Sequence, residues 1–181
     1  MLHGNAGQAE QRDYMLPLLA RTDSLYVLEY PGFGFREGKP SRESLNAAAF
    51  EAYHYLRHQN PGTPVCVIGE SIGTGPACEL ARDPLPPDKI VLITPFDTLA
   101  NVAADHFPAL PVRLMLQDRW DNVAALQVYH GPVEIYGAIS DTLIPFEHAK
   151  ALADSHPGSV FHAMIGGHNN WIRQNPIRIT R

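Results

Sequence analysis

Apolar residues recur along the chain at two different spacings, and these spacings predict strands that alternate with helices. Five short apolar runs, bounded by glycine, proline or polar residues, are typical of buried strands. These runs are residues 24–30, 65–68, 89–95, 132–139 and 159–165. Most segments between them repeat their apolar residues every three or four positions, as on one face of a helix. The alternation predicts an α/β fold with a mainly parallel sheet and helices on both faces.

Helices are predicted over residues 8–20, 42–58, 76–81 and 145–155. The second has the clearest signals, because Ser41 can cap its first turn and the sequence Asn60-Pro61-Gly62 ends it. The fourth begins with Pro145, which a first helical turn tolerates well. The first contains Pro17, which removes a backbone donor and weakens a continuous helix.

The stretch from residue 96 to residue 130 has no strand pattern and contains Pro108 and Pro111. We expect short helices here, which form either a small cap or an ordinary connection between strands. No repeat and no shift in composition marks a domain boundary. Residues 1–181 are therefore predicted to form a single domain, with the cap segment at about 96–130.

Composition and charge narrow the possible partners. Of the 181 residues, 45% are hydrophobic and 18% are charged, as in a globular protein with a substantial core. A net charge of −5 gives no electrostatic basis for binding nucleic acid or an anionic membrane surface. No run approaches the ~18 apolar residues of a membrane span. The opening sequence Met1-Leu2-His3-Gly4 lacks the basic and apolar regions of a signal peptide, so we expect a cytoplasmic protein.

Metal and cofactor chemistry has no sequence signal. The two cysteines, Cys66 and Cys78, are expected to be buried thiols that pack as small hydrophobes. They share no metal-ligand spacing with histidine, and the chain has no His-Glu-x-x-His motif or carboxylate cluster. We therefore predict no metal.

One motif with chemical meaning follows the second predicted strand directly. The sequence Gly69-Glu70-Ser71-Ile72-Gly73 lies between the strand at 65–68 and the helix at 76–81. A strand, a sharp turn and a helix form the context in which Gly-x-Ser-x-Gly is a nucleophile elbow. The two glycines are expected where the strand and the helix approach too closely for a Cβ atom. We predict that Ser71 is a nucleophile held in a strained backbone conformation.

Two further residues complete a candidate catalytic triad. Asp141 and His168 each follow a predicted strand, as Ser71 does, and sites in α/β sheets gather at the carboxyl ends of strands. His168 would take the serine proton, and Asp141 would orient the imidazole and stabilise its charged form. Asp97, which also follows a strand, is the main alternative to Asp141 as the acid.

The chain also contains a candidate oxyanion hole and a candidate pocket. Glycines in His3-Gly4-Asn5-Ala6-Gly7 predict a tight loop with exposed backbone N–H groups. The N–H groups of Ile72 and of Asn5 or Ala6 are the expected donors to an oxyanion. The aromatic residues that could line a substrate pocket, or belong to the core instead, are Phe33, Phe35, Trp120 and Trp171.

Together these motifs resemble the α/β-hydrolase superfamily, in particular its small serine hydrolases with a minimal cap. The matching stretches are residues 3–7, 30–41, 69–73, 140–145 and 167–169, which span nearly the whole chain. The resemblance implies a Ser-Asp-His triad in that chain order and ester hydrolysis without a cofactor. Dehalogenases and epoxide hydrolases of this superfamily carry aspartate at the elbow, and dienelactone hydrolases carry cysteine. Ser71 argues against all three activities.

The resemblance also sets an expectation for the sheet edge and for assembly. Members usually have two or three strands before the His-Gly loop, whereas here only Met1 and Leu2 precede it. The fold is therefore expected to be reduced at its N-terminus or to belong to a fragment. A sheet edge would then be exposed, which favours a homo-oligomer that covers it.

The predicted activity is hydrolysis of small carboxylic esters through an acyl-enzyme. A thioesterase and an acyl-peptidase are alternatives that would use the same three residues. A non-catalytic binding or scaffold protein is the alternative from another class, because a fold does not establish activity. The catalytic activities require residues 3–7 to be held beside Ser71, whereas the non-catalytic alternative does not.

Overall fold

The computed structural model describes residues 1–180 and their side chains, except that of Arg113. Within this range, four parallel strands form one sheet in the order β1-β2-β3-β4. Their bounds are Cys66–Glu70 for β1, Lys89–Ile93 for β2, Val133–Ala138 for β3 and Val160–Met164 for β4. The mainly parallel sheet is as predicted. Because the strands are parallel, their carboxyl ends meet at one edge of the sheet.

The predicted strand at 24–30 is wrong as a full strand. This segment meets the sheet region through a single bridge between Leu28 and Leu2. Leu2 in turn bridges to Gly69, and its N–H donates to the carbonyl of Ile68 at 2.8 Å. One bridge does not continue into a ladder, and a strand needs a ladder of partners. The homo-oligomer across this edge stays a prediction.

Six α-helices lie within residues 1–180. They are α1 Arg42–Gln59, α2 Thr74–Glu79, α3 Leu99–His106, α4 Val112–Met115, α5 Asn122–Leu126 and α6 Phe146–Ser155. As predicted, Ser41 caps α1 by accepting from the N–H of Ser44. None of the helices in this range combines the length and the apolar character needed to cross a membrane.

The continuous helix predicted over residues 8–20 is also wrong. The segment forms two 3₁₀ turns instead, Ala9–Gln11 and Asp13–Leu18. Pro17 lies inside the second turn, where its ring and its missing N–H oppose an α-helical ladder. The second turn still buries Met15 and Leu18 against the sheet. The apolar pattern therefore predicted which residues are buried but not the type of helix.

Both faces of the sheet are covered. Alternate residues of β2 point to opposite faces: Ile90 and Leu92 pack in the cluster that includes α1, α2, α5 and α6. Val91 and Ile93 pack on the other face, against the N-terminal 3₁₀ turns and the C-terminal segment. All four side chains are fully buried, as expected for a central strand of a parallel sheet.

The segment at 96–130 contains α3, α4 and α5. α5 packs near α2 and buries Asn122, Ala125 and Leu126. Around α4, by contrast, large apolar side chains such as Leu114 and Met115 are exposed. A capping role for this segment stays a prediction.

Cys78 is buried as predicted, whereas Cys66 is only partly buried. Burial raises the pKa of Cys66 to about 11 and raises the pKa of Cys78 well above its usual range. Both therefore remain protonated at neutral pH, and neither has the lowered pKa of a reactive thiolate.

Candidate active site

The sharp turn after β1 places Ser71 in a conformation that few side chains adopt. Its φ angle is 53°, in the left-handed region that favours glycine. Such strain persists only where the surrounding structure enforces it, and it is common at functional positions. The Thr74 hydroxyl supports the turn by donating to the Ser71 carbonyl at 2.6 Å.

The two glycines of the motif are needed for two different close approaches. A Cβ atom on Gly69 would lie 2.7 Å from the Gly73 carbonyl oxygen and 2.8 Å from Ala77 Cβ, so the strand and the helix exclude a side chain there. A Cβ atom on Gly73 would lie 2.2 Å from the carbonyl oxygen of Leu2. Gly73 thus allows the turn to press against the segment that leads into residues 3–7, a contact that sequence reasoning missed.

The predicted triad residues form a continuous chain of hydrogen bonds. His168 Nε2 lies 2.8 Å from Ser71 Oγ, and His168 Nδ1 lies 2.7 Å from Asp141 Oδ2. The other carboxylate oxygen, Oδ1, accepts from the N–H groups of Leu143 and Ile144, each at 2.9 Å. With Nδ1 donating to Asp141, Nε2 is free to accept the serine proton.

Backbone contacts hold the loops that carry the acid and the base together. The N–H of Ser140 donates to the carbonyl of Gly166 at 2.9 Å. Gly166 has a φ of 112°, which turns the chain after β4 toward Asp141. Asn170 Oδ1 then accepts from the N–H of Gly167, which closes the short loop around His168.

Asp97, the alternative acid, belongs to a different cluster. Its Oδ1 atom lies 2.8 Å from Nδ1 of His148, which α6 carries. Oδ1 also accepts from the N–H of Thr98, and Oδ2 accepts from the Asn101 side chain, both at 2.6 Å. On the other side of His148, Nε2 lies 3.0 Å from Asp105 Oδ2. The carboxylate nearest His168 is that of Asp141.

The loop at residues 3–7 lies beside Ser71 and is anchored by a buried histidine. His3 is fully buried, with Nδ1 2.8 Å from the Gly4 carbonyl oxygen and Nε2 3.0 Å from Glu29 Oε1. A Cβ atom on Gly4 would lie 3.3 Å from Ser71 Cβ, which shows how closely the loop approaches the serine. Glu29 was not predicted as a supporting residue, because nothing local in the sequence links it to His3.

A cavity of about 430 Å³ opens at the serine. Its lining brings together Ser71, His168 and the predicted oxyanion donors Ile72, Asn5 and Ala6. The apolar side chains in its wall are Phe96, Leu99, Leu143 and Ile144, and the remaining lining residues are Gly4, Arg12, Glu70 and Asn169. Within residues 1–180, no three or more His, Cys, Asp or Glu side chains converge as a metal site would require.

Of the four aromatic candidates for the pocket, Phe35 is exposed, and Phe33, Trp120 and Trp171 are absent from the described lining of the cavity. Trp120 is buried against Gly75, and its Nε1 donates to Asn46 Oδ1 at 2.9 Å. Trp171 is buried in the core on the opposite face of the sheet, and Phe33 packs edge-on against the His3 ring. Large aromatic side chains gain most from full burial, which explains the core positions of the two tryptophans. The apolar lining of the cavity consists of Phe96 and the aliphatic residues Leu99, Leu143 and Ile144, and the last two lie shortly after Asp141.

Comparison with known proteins finds relatives of several kinds. Over 146 residues the chain is 34% identical to an uncharacterized protein of Mycobacterium tuberculosis, covering 79% of this chain and 52% of the relative. Over 174 residues it is 29% identical to the lysophosphatidylserine lipase ABHD12 of Danio rerio, covering 84% of this chain and 45% of the relative. The chain spans about half the length of these curated relatives.

Solved structures and a family model agree on the fold. An esterase of Pyrococcus furiosus superposes with a TM-score of 0.72 at 16% identity, covering 95% of this chain and 74% of the esterase. A monoacylglycerol lipase of Paleococcus ferrophilus superposes with a TM-score of 0.67 at 16% identity, covering 93% and 84% of the two chains. The model of the alpha/beta hydrolase family matches residues 1–174. With this match over nearly its whole length, the chain belongs to the alpha/beta hydrolase family.

Proposed function

We propose that this protein is a serine hydrolase that cleaves small carboxylic esters through an acyl-enzyme formed on Ser71. The observation that carries the proposal is the hydrogen-bond chain from Asp141 through His168 to Ser71 Oγ. It ends at a cavity that the loop at residues 3–7 also lines. The names of the relatives and structural neighbours, which include an esterase and two lipases, support an ester as the substrate.

The first half of the reaction forms the acyl-enzyme. Ser71 Oγ attacks the ester carbonyl carbon while its proton passes to Nε2 of His168. The carbonyl oxygen becomes an oxyanion, which the N–H groups of Ile72 and of Asn5 or Ala6 stabilise. The bond from carbon to the alcohol oxygen then breaks, and His168 gives its proton to the departing alcohol.

The second half regenerates the enzyme. His168 takes a proton from water, whose oxygen attacks the acyl carbon. The bond to Ser71 Oγ breaks, the serine recovers its proton from His168, and the carboxylic acid leaves. Asp141 stabilises the imidazolium in both halves, and its second oxygen keeps two backbone donors throughout.

The position of the loop at residues 3–7 favours catalysis over a purely binding role. A scaffold protein would not require the loop to approach Ser71, whereas an oxyanion hole does. A Cβ atom on Gly4 would lie 3.3 Å from Ser71 Cβ, and the buried His3 ring anchors the loop. Both observations support a preorganised oxyanion hole. Preorganised donors of this kind make the largest single contribution to the rate enhancement of many enzymes.

A fluorophosphonate probe tests the nucleophile directly. The wild-type protein should react covalently, and Ser71→Ala should not react at all. Ser159→Ala is a matched control, because Ser159 lies just before β4, whereas His168 lies after the other end of that strand. It should react like the wild type. Absence of labelling in the intact protein, or labelling that survives Ser71→Ala, would overturn the proposal.

The leaving group and acyl chain are tested separately. p-Nitrophenyl esters of increasing chain length, a matched thioester and an acyl-peptide should be compared on the wild type and on Ser71→Ala. We expect the highest kcat/KM for the short esters, and no turnover by the variant. A preference for the thioester or the acyl-peptide would keep the triad and reassign the substrate.

A further inference from the structure

The residue before Ser71 in the elbow is a buried carboxylate that the triad does not use. The Glu70 side chain is only 11% exposed, and it lines the cavity. Burying a carboxylate is costly unless partners compensate it. The Gly-x-Ser-x-Gly motif does not specify the residue at this position. A charge retained beside the nucleophile therefore requires another explanation.

Two residues of the N-terminal 3₁₀ region partner Glu70. The Tyr14 hydroxyl lies 2.7 Å and 2.8 Å from the two carboxylate oxygens, and Arg12 Nη1 lies 4.0 Å from Oε2. Burial and the neighbouring Glu70 carboxylate raise the pKa of Tyr14 above its usual range, so its hydroxyl stays a donor. The Arg12 side chain is 11% exposed, which matches the burial of its partner.

Arg12 connects this carboxylate to the loop beside the serine. Its Nη2 atom donates to the carbonyl oxygen of Ala6, and its Nη1 lies 3.5 Å from the Tyr14 hydroxyl. Asn5, Ala6 and Gly7 are exposed. His3 anchors the loop where it begins, and Arg12 holds it at Ala6. The contacts thus run from Glu70 through Arg12 to the loop.

We propose that Glu70 is a positioning residue for the hydrolysis: it holds Arg12 against the Ala6 carbonyl and so fixes the loop amides where the oxyanion forms. The inference rests on the proposed function of Ser71. Donors to an oxyanion act only when they are already in place, and a displacement of about 1 Å costs on the order of 10²-fold in rate. Because the oxyanion exists only in the transition state and intermediate, loss of Glu70 should lower kcat and leave KM nearly unchanged.

The decisive variant is Glu70→Gln, which keeps the size and an acceptor for Tyr14 but removes the charge that faces Arg12. We expect kcat for p-nitrophenyl acetate to fall on the order of 10²-fold. The fluorophosphonate labelling rate should fall with it. Arg12→Gln should produce a similar loss, and the double variant should be no slower than either single one, because both changes break one chain of contacts. Glu70→Asp, which restores the charge, should recover part of the rate.

Glu79→Gln is the matched control. Glu79 is a carboxylate of similar burial, 13% exposed, and it lies 3.9 Å from Arg42 and 3.8 Å from Arg82. It is absent from the described lining of the cavity, so its variant should keep the wild-type kcat. Thermal unfolding of all variants separates a loss of folded protein from a loss of rate. If Glu70→Gln does not fold, Arg12→Gln carries the test alone.

The outcomes separate the two proposals. If the wild type reacts with the probe and Glu70→Gln keeps the wild-type kcat, the positioning role is overturned while the nucleophile stands. Losses that multiply in the double variant, or a rise in KM with kcat unchanged, would also overturn it. If the wild type does not react with the probe, the proposed function falls, and the positioning role falls with it.

Discussion

Two aspartate–histidine pairs lie beyond the carboxyl ends of neighbouring strands, and they differ in the group on the far side of the imidazole. Asp141, after β3, pairs with His168 at 2.7 Å, and Asp97, after β2, pairs with His148 at 2.8 Å. In both pairs the carboxylate faces Nδ1. Nε2 faces a serine hydroxyl in the first pair and a second carboxylate, that of Asp105, in the other.

This third partner separates a candidate catalytic pair from a structural one. Nε2 of His168 has a proton to take from Ser71, and the site opens to a cavity. Nε2 of His148 lies near a carboxylate oxygen of Asp105 instead of a hydroxyl group that it could deprotonate. The second pair instead joins α6 to the segment that carries α3, since Asp97 and Asp105 flank or belong to α3. An aspartate–histidine pair therefore indicates catalysis only when the other imidazole nitrogen faces a nucleophile such as a serine hydroxyl.

The largest expected difference is in rate. Asp141→Asn should lower kcat by about 10⁴-fold, because the amide no longer orients the imidazole or stabilises its charge. Asp97→Asn, the same change in the other pair, should leave the kcat of the folded protein close to that of the wild type. Steady-state hydrolysis of a p-nitrophenyl ester measures both. Equal losses would mean that Asp97 also acts on the reaction.

A smaller difference is expected in stability, in the opposite sense. His148→Ala removes a buried imidazole that contacts both Asp97 and Asp105, and we expect the free energy of unfolding to fall by about 1–3 kcal/mol. His168→Ala should destabilise less, because His168 contacts one carboxylate, whereas His148 contacts two. Urea denaturation of both variants gives the two values. A larger loss for His168→Ala would contradict the assignment of the structural pair.

The smallest effect should come from Asp105→Asn. The Asp105 side chain is 61% exposed, so its contact with His148 is screened by solvent. We expect less than about 1 kcal/mol of destabilisation, and the difference from the wild type should shrink as salt is added. Urea denaturation at low and high salt checks this. A loss as large as that of His148→Ala would show that Asp105 matters as much as Asp97.

Sequence reasoning succeeded where the signal was local and failed where partners were remote. The strands of the parallel sheet and the helices α1 and α6 followed from apolar spacing and caps, which need only neighbouring residues. The segment at 8–20 has a helical apolar pattern, but Pro17 and the packing of Met15 produced 3₁₀ turns. The segment at 24–30 has strand composition, but composition does not supply a ladder of partners.

The pocket shows the same limit. Phe33, Trp120 and Trp171 were candidates because aromatic side chains suit both a pocket and a core. Burial against residues far away in the chain assigned the two tryptophans to the core. No local sequence signal indicates that Arg12 and Glu70 share a role. No such signal indicates the contact between Gly73 and Leu2 either.

The sequence by itself determined the elbow around Ser71, the strand that precedes it, and the positions of Asp141 and His168 after their own strands. These features depend on residues within a few positions of each other. Only the tertiary structure decided which aspartate faces which histidine, because Asp141 and His168 are 27 positions apart and Asp97 and His148 are 51 apart. Pairings over such separations are set by how the strands and helices pack. The spacing of residues along the chain therefore cannot predict these pairings.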